Sequence, residues 1–195
     1  MTAMRPKLIT REIIPFTLSF AALVLAALLL DSLLHYYTLV WIGRYLGIVG
    51  TLMILGSFRY SLRKRKMISS GNPVTLLRQH EYMAWLGSLL ILVHAGIHFN
   101  SILGWLAVWA MLISIGSGLA GKFLLDRARM RMLEARQTML RQGMSEDELE
   151  ERVYLDTLTF DAVKQWRAVH FPITLAFTVL ALAHIIAVFL FWGWR

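Results

Sequence analysis

Residues 78–99 read RQHEYMAWLGSLLILVHAGIHF. This stretch decides the fold, because it is apolar enough to cross a membrane as a helix and yet carries His80, His94 and His98. His80 and His94 are fourteen residues apart. Fourteen residues make about four turns of α-helix, so the two rings share a face and lie about 21 Å apart along the axis. The stretch therefore predicts a membrane helix with one functional face.

A second stretch repeats this arrangement. Residues 167–192 read RAVHFPITLAFTVLALAHIIAVFLFW, and His170 and His184 are again fourteen residues apart. One predicted span separates the two histidine helices, so they run in the same direction. His80 is then expected to face His170, and His94 to face His184. Two facing couples of imidazoles predict two cofactor sites at different depths in the membrane.

The composition is that of an integral membrane protein. The chain has 195 residues, of which 57% are hydrophobic and 16% charged, and its mean hydropathy is +0.59. It has no cysteine, which excludes disulfides, cysteine-bound zinc, protein-bound iron–sulfur clusters and covalently attached haem. The net charge of +8 comes largely from cations beside apolar runs, so it indicates membrane orientation and predicts no nucleic-acid partner.

Five apolar runs predict an all-α membrane protein with a single domain over residues 1–195. The predicted spans are about 15–34, 41–58, 80–99, 102–125 and 168–192. Residues 126–165 are predicted to form a cytoplasmic helical hairpin, with a basic arm followed by an acidic arm that opens at the capping-box pair Ser145 and Glu148. The first run leads into further spans, which favours a retained helix over a cleaved signal peptide.

The distribution of cations predicts the orientation. With five alternating spans, all of the 20 Lys and Arg except Arg44 and Arg195 fall on one side. The positive-inside rule then places the N-terminus in the cytoplasm and the C-terminus in the periplasm of a bacterial inner membrane.

Small residues follow the same interval as the histidines. Gly104 and Gly118 in the fourth span are fourteen residues apart. Two interpretations remain open, namely clefts for a flat cofactor or ordinary close packing of helices.

Neutral imidazoles in facing couples suit a six-coordinate haem iron with one histidine on each side of the porphyrin. Both axial positions are then filled by protein, which favours electron transfer over chemistry at the metal. Arg78 and Arg167 lie two or three residues before a histidine and are candidates to pair with haem propionates. Snorkelling at the membrane edge explains the same arginines without a haem.

The paired spacing His80-x13-His94 and His170-x13-His184 resembles the membrane domain of ferric reductases and NADPH oxidases, and is similar to the cytochrome b of quinol-oxidising bc complexes. The resemblance covers residues 40–195. It implies a four-helix core with two non-covalent haem b groups, one held by His80 and His170 near the cytoplasm and one by His94 and His184 nearer the outside. The chain departs from the reductases because it lacks a sixth span and a nucleotide-binding motif.

The sequence thus predicts the cytochrome b subunit of a larger redox complex. The expected partners are a dehydrogenase, an iron–sulfur protein or a multihaem cytochrome, with quinol as a further candidate donor. Two sets of polar residues are candidates for a quinone site: His35, Tyr37 and His98 on the outside, or Gln79, Glu81 and Asp161 on the inside.

Two other classes of function stay open. His94 and His98 form an HxxxH pair, which is typical of a non-haem metal enzyme. A membrane anchor without cofactor is the other alternative. His98 is also an alternative haem ligand to His94, although its partner at equal depth would be Val188, which cannot bind iron.

Overall fold

The structure is a computed structural model that describes residues 14–97, 101–141 and 154–191. All regular structure in these ranges is helical. The helices are α1 (Ile14–Tyr36), α2 (Ile42–Ser57), α3 (Arg59–Lys64), α4 (Pro73–Ile97), α5 (Ile102–Arg141) and α6 (Tyr154–Phe191). The predicted all-α fold class is confirmed for this part of the chain.

Within the described ranges, four helical segments are long and apolar enough to cross a membrane. They are Ile14–Tyr36, Ile42–Lys64, Ile102–Phe123 and Ala168–Phe191. Many of their large apolar side chains are exposed, as at Leu29, Leu52 and Leu190, and such surfaces suit contact with lipid. The chain is therefore an integral membrane protein. The helix α4 is not one of the four, because polar residues such as His80 and Glu81 lower its hydropathy.

The first half of the molecule packs α1, α2 and α4 around a small apolar core. Ala27, Leu34 and Val93 are buried at its centre, and Val93 is fully shielded from solvent. α4 lies along α2 and also contacts α1. The turn between α1 and α2 passes through Thr38, which has a φ of 57°.

The second half consists of α5 packed along α6. Both helices continue beyond their apolar segments, to 40 and 38 residues in all. The basic arm predicted within 126–165 is thus a direct extension of α5 up to Arg141, and the acidic arm continues into α6 from Tyr154. Ser145 and Glu148 lie outside the described residues, as does the turn of the predicted hairpin.

The loop before α4 is shorter than the sequence pattern suggested. The predicted span began at residue 80, whereas α4 begins at Pro73. Asn72 caps the helix, since its Oδ1 accepts a hydrogen bond of 2.9 Å from the backbone N–H of Val74. Proline in the first turn needs no hydrogen-bond donor. His80 therefore lies two turns inside the helix rather than at its start.

Candidate functional site

His80 and His94 of α4 are both hydrogen-bonded to backbone carbonyls of α2. The Nδ1–H of His80 donates to the carbonyl oxygen of Ser57 at 3.1 Å, and that of His94 donates to the carbonyl oxygen of Gly43 at 2.9 Å. Ser57 and Gly43 are themselves fourteen residues apart. The antiparallel pairing of α2 with α4 thus provides one acceptor at each end for the two rings.

His170 and His184 of α6 are hydrogen-bonded to serines of α5. Nδ1 of His170 is 3.2 Å from Oγ of Ser117, and Nδ1 of His184 is 3.2 Å from Oγ of Ser101. Ser101 also accepts the backbone N–H of Gly104 at 3.1 Å, so it caps the start of α5. All four histidines are therefore oriented through Nδ1 by the helix that neighbours their own.

These hydrogen bonds determine which ring nitrogen can bind a metal. A backbone carbonyl only accepts, so the ring proton of His80 and of His94 must be on Nδ1. The lone pair of a neutral imidazole is then on Nε2. Metal-binding histidines commonly donate their second N–H to a carbonyl or hydroxyl in this way. The donor set fits axial ligation of a haem iron.

Three glycines lie directly against the histidine rings. A Cβ built on Gly47 would be 2.7 Å from Cγ of His94. Cβ atoms on Gly104 and Gly118 would be 3.4 Å from Cε1 of His184 and 3.6 Å from Cε1 of His170, in ordinary contact. The glycines of α5 that share the histidine interval are thus the ones that the α6 histidines touch.

Aromatic side chains flank the rings of His80 and His170. The ring of Tyr60 is 5.8 Å from that of His80, measured between centroids. Trp166 stacks on His170 at 4.9 Å with an interplanar angle of 19°, and its Nε1–H donates to the carbonyl oxygen of Ser117 at 2.8 Å. Each of these rings is therefore held by an aromatic contact as well as by its Nδ1 partner.

The two halves of the molecule meet at this end of the bundle. Nζ of Lys122 on α5 is 2.7 Å from Oε2 of Glu81 on α4. The guanidinium of Arg65 lies over the ring of Phe171, 4.9 Å from its centroid. These contacts join the two halves beside His80 and His170, whereas the predicted facing of the two rings stays a prediction.

The other predicted site residues have different positions. Arg78 is exposed on α4 and Arg44 is exposed on α2. His35 lies in the last turn of α1, also exposed, with Nδ1 2.9 Å from the carbonyl oxygen of Asp31. The side chain of Arg167 and the whole of His98 lie outside the described part of the chain, so their predicted roles stay predictions.

Sequence reasoning missed the partners of the histidines. Ser101, Ser117 and Trp166 were not singled out, although Trp166 precedes His170 by one helical turn and thus shares its face. The acceptors at Gly43 and Ser57 are backbone carbonyls, so no residue type in the sequence marks them. A serine one or three residues before a glycine, as in Ser117–Gly118 and Ser101–Gly104, was a further available signal.

Within the described ranges, no group of three or more His, Asp or Glu is placed to hold a metal ion. A haem iron needs two protein ligands, so this finding does not bear on the histidine couples. No protein-family model, curated protein or solved structure matches the chain.

Proposed function

We propose that this chain is the cytochrome b subunit of a larger redox complex and that it moves electrons across the membrane. It would bind two haem b groups, each between a histidine of α4 and a histidine of α6. His80 and His170 would hold one group, and His94 and His184 the other. The observation that carries the proposal is the hydrogen bonding of all four histidines through Nδ1 to a neighbouring helix.

The packing of the helices supports this assignment. α4 and α6 meet far less closely than each meets its own partner helix. Here the Nδ1 side of each ring is bonded to α2 or to Ser101 and Ser117 of the α5 chain segment, and the ion pair of Lys122 with Glu81 joins the two halves beside His80. A planar group between the two halves is consistent with these contacts.

α4 is proposed as the fifth membrane-spanning helix. Its two histidines are bonded to the two ends of α2, and α2 belongs to a segment long and apolar enough to cross the membrane. A helix that contacts a spanning helix at both ends lies at the same depth. Its intramembrane imidazoles are then satisfied by α2, as buried polar groups in lipid must be.

The chain's own residues would orient the ligands and exclude other chemistry. The carbonyls of Ser57 and Gly43 fix the tautomer of the α4 histidines, and Ser117 and Ser101 position the α6 histidines. Iron between two imidazoles has no open position, so the chemistry that haem supplies here is the exchange of single electrons.

The orientation and the partners follow from charge. The cations of α3 and of the extension of α5 lie at the His80 end of the bundle, so the positive-inside rule places this end in the cytoplasm. A cytoplasmic dehydrogenase, an iron–sulfur protein, a multihaem cytochrome or quinol would supply or remove electrons.

Absorbance of the purified protein after reduction with dithionite tests the proposal. We expect a b-type α band and two haems per chain in a pyridine haemochrome assay. Each single substitution His80→Ala, His94→Ala, His170→Ala or His184→Ala should remove one haem. His35→Ala is the control and should retain both.

Double variants test the pairing. His80→Ala with His170→Ala should lose no more haem than either single change, whereas His80→Ala with His94→Ala should lose both groups. A colourless wild-type protein would support the anchor without cofactor, and iron without porphyrin would support the non-haem metal enzyme. Either result would refute the cytochrome.

A further inference from the structure

A basic cleft opens where the second membrane-spanning segment ends. Its volume is about 320 Å³, and its lining residues are Tyr60, Arg63, Lys64, Lys66 and Pro73. Three of these residues are cationic, and none of these described lining residues is acidic. The lining surface is mostly apolar, so the three cations contribute chiefly their aliphatic stems to it. Their charged groups still raise the local concentration of anions at this place. The cleft therefore favours an anionic ligand.

The cleft is held in shape by the loop that follows α3. Nε of Arg63 donates to the carbonyl oxygen of Gly71 at 3.3 Å, and its Nη1 donates to that of Ile68 at 3.4 Å. Lys66 and Gly71 have φ angles of 59° and 98°, which fold the loop back toward α3. The cations of the cleft thus belong to a folded element.

The arginine between Lys64 and Lys66 contacts α6 instead of the cleft. Arg65 lies over the ring of Phe171 on α6, and it is not one of the lining residues. Lys64 and Lys66 are both exposed, and the Nζ of Lys64 lies 5.6 Å from the centroid of the Tyr60 ring. The cleft thus has a mostly apolar wall, to which Tyr60 and Pro73 belong, and three of its lining residues carry a positive charge.

The depth of the cleft identifies the anion. The candidate span Ile42–Lys64 ends at the cleft, so the cations lie where hydrocarbon gives way to lipid headgroups. Leu52, Leu55 and Leu62 of the same span are 62%, 55% and 38% exposed, and they offer a surface for acyl chains. A soluble phosphate has the same negative charge as a lipid headgroup, but it has no acyl chains to contact these leucines.

We propose that the cleft binds the phosphate of an anionic phospholipid headgroup. Arg63 and the two lysines would contact the phosphate, while the acyl chains would lie along the span. The proposal depends on the membrane location of this segment and is independent of any haem.

Native mass spectrometry of the full-length protein in detergent tests this site. We expect adducts with phosphatidylglycerol to outnumber those with phosphatidylcholine at equal lipid concentration. Each juxtamembrane lysine contributes about fivefold in affinity, so Lys64→Gln with Lys66→Gln should reduce phosphatidylglycerol binding roughly 25-fold. Arg63 is left unchanged because it also holds the loop. Arg141→Gln, which removes an exposed cation at the end of α5, is the matched control and should bind as the wild type does.

Three results would overturn the proposal. Equal binding of the two lipids by the wild type would remove the preference for an anion. Unchanged binding by the double lysine variant would place the lipid elsewhere. Displacement of phosphatidylglycerol by millimolar inorganic phosphate would show that the cleft takes a soluble anion instead of a lipid.

Discussion

Gly50 of α2 and Gly87 of α4 lie with their backbones in direct contact. A Cβ built on Gly50 would be 2.7 Å from the carbonyl oxygen of Gly87, and one built on Gly87 would be 2.9 Å from that of Gly50. Gly87 is seven residues from His80 and seven from His94. The closest approach of these two helices therefore lies midway between two candidate haem ligands.

Gly87→Ala is expected to disturb both histidines of α4. The added methyl group meets the backbone oxygen of Gly50 as well as the side chain of Ile54, each at 2.9 Å. Because the backbone cannot rotate away as a side chain can, α2 and α4 must move apart. Overpacking of this kind costs about 1–3 kcal/mol, and both Nδ1 hydrogen bonds should lengthen. We expect a lower Tm and weaker retention of both haems. In the control Gly116→Ala the new Cβ would be 3.9 Å from Phe20, and both properties should stay the same. An unchanged Tm in Gly87→Ala would contradict this prediction.

Gly47→Ala should affect a single haem. Its Cβ would be 2.8 Å from Nδ1 of His94, so the ring must turn away and lose the carbonyl of Gly43. The haem of the His94 couple should be lost, and that of the His80 couple retained. Haem per chain measures this effect. Gly118→Ala is the matched control, because its Cβ would be in ordinary contact, 3.6 Å from Cε1 of His170. Loss of haem from Gly118→Ala, with no loss from Gly47→Ala, would contradict this prediction.

Ser117→Ala removes the hydroxyl that is bonded to His170. Loss of such an outer hydrogen bond typically weakens metal binding about 10–100-fold, and a comparable decrease in haem affinity is expected here. Ser114→Ala is a close control, because it removes a hydroxyl from the same helix that bonds only Thr174, at 3.0 Å, among the described contacts. Haem titration of the apoprotein should separate the two variants, and Ser117→Thr should restore most of the affinity. Equal affinities in Ser114→Ala and Ser117→Ala would argue against a role for Ser117.

The ion pair of Glu81 with Lys122 should contribute little to stability. The two side chains are 32% and 43% exposed, and such pairs contribute about 0.2–1 kcal/mol. A double-mutant cycle with Glu81→Gln and Lys122→Gln should give a coupling energy in this range that decreases with added salt. A coupling of several kcal/mol would instead make this pair a main connection between the two halves.

The spacing of the histidines predicted much of the arrangement. It placed His80 and His94 on one face of a helix, because helical geometry alone fixes this relationship. Which helix faces that side depends on tertiary packing, so the pairing of His80 with His170 stays a prediction. Gly104 and Gly118 were recognised by the same interval. The carbonyl acceptors on α2 could not be predicted from the sequence. Every residue has a carbonyl, and only the packing of two helices determines which one faces a histidine ring.

Helix limits were predicted less well, although the signals were present. Asn72 and Pro73 form a cap and a first turn, but the predicted span begins only at residue 80, because both residue types also favour turns. α5 continues to Arg141 because no Gly or Pro lies between Lys122 and that residue. The predicted end of the membrane span at residue 125 followed a change in polarity and lies close to the end of the apolar segment at Phe123, while the helix itself continues.

Every histidine of the two couples finds its Nδ1 partner inside its own half of the chain. Synthesis from the N-terminus delivers α1 to α4 before α5 and α6 emerge. The segment α1 to α4 can thus insert into the bilayer with the Nδ1 atoms of its two histidines already hydrogen-bonded. The segment α5 to α6 can do the same afterwards. Assembly would then require only the docking of the two halves, and the proposed haems could enter between them before they dock.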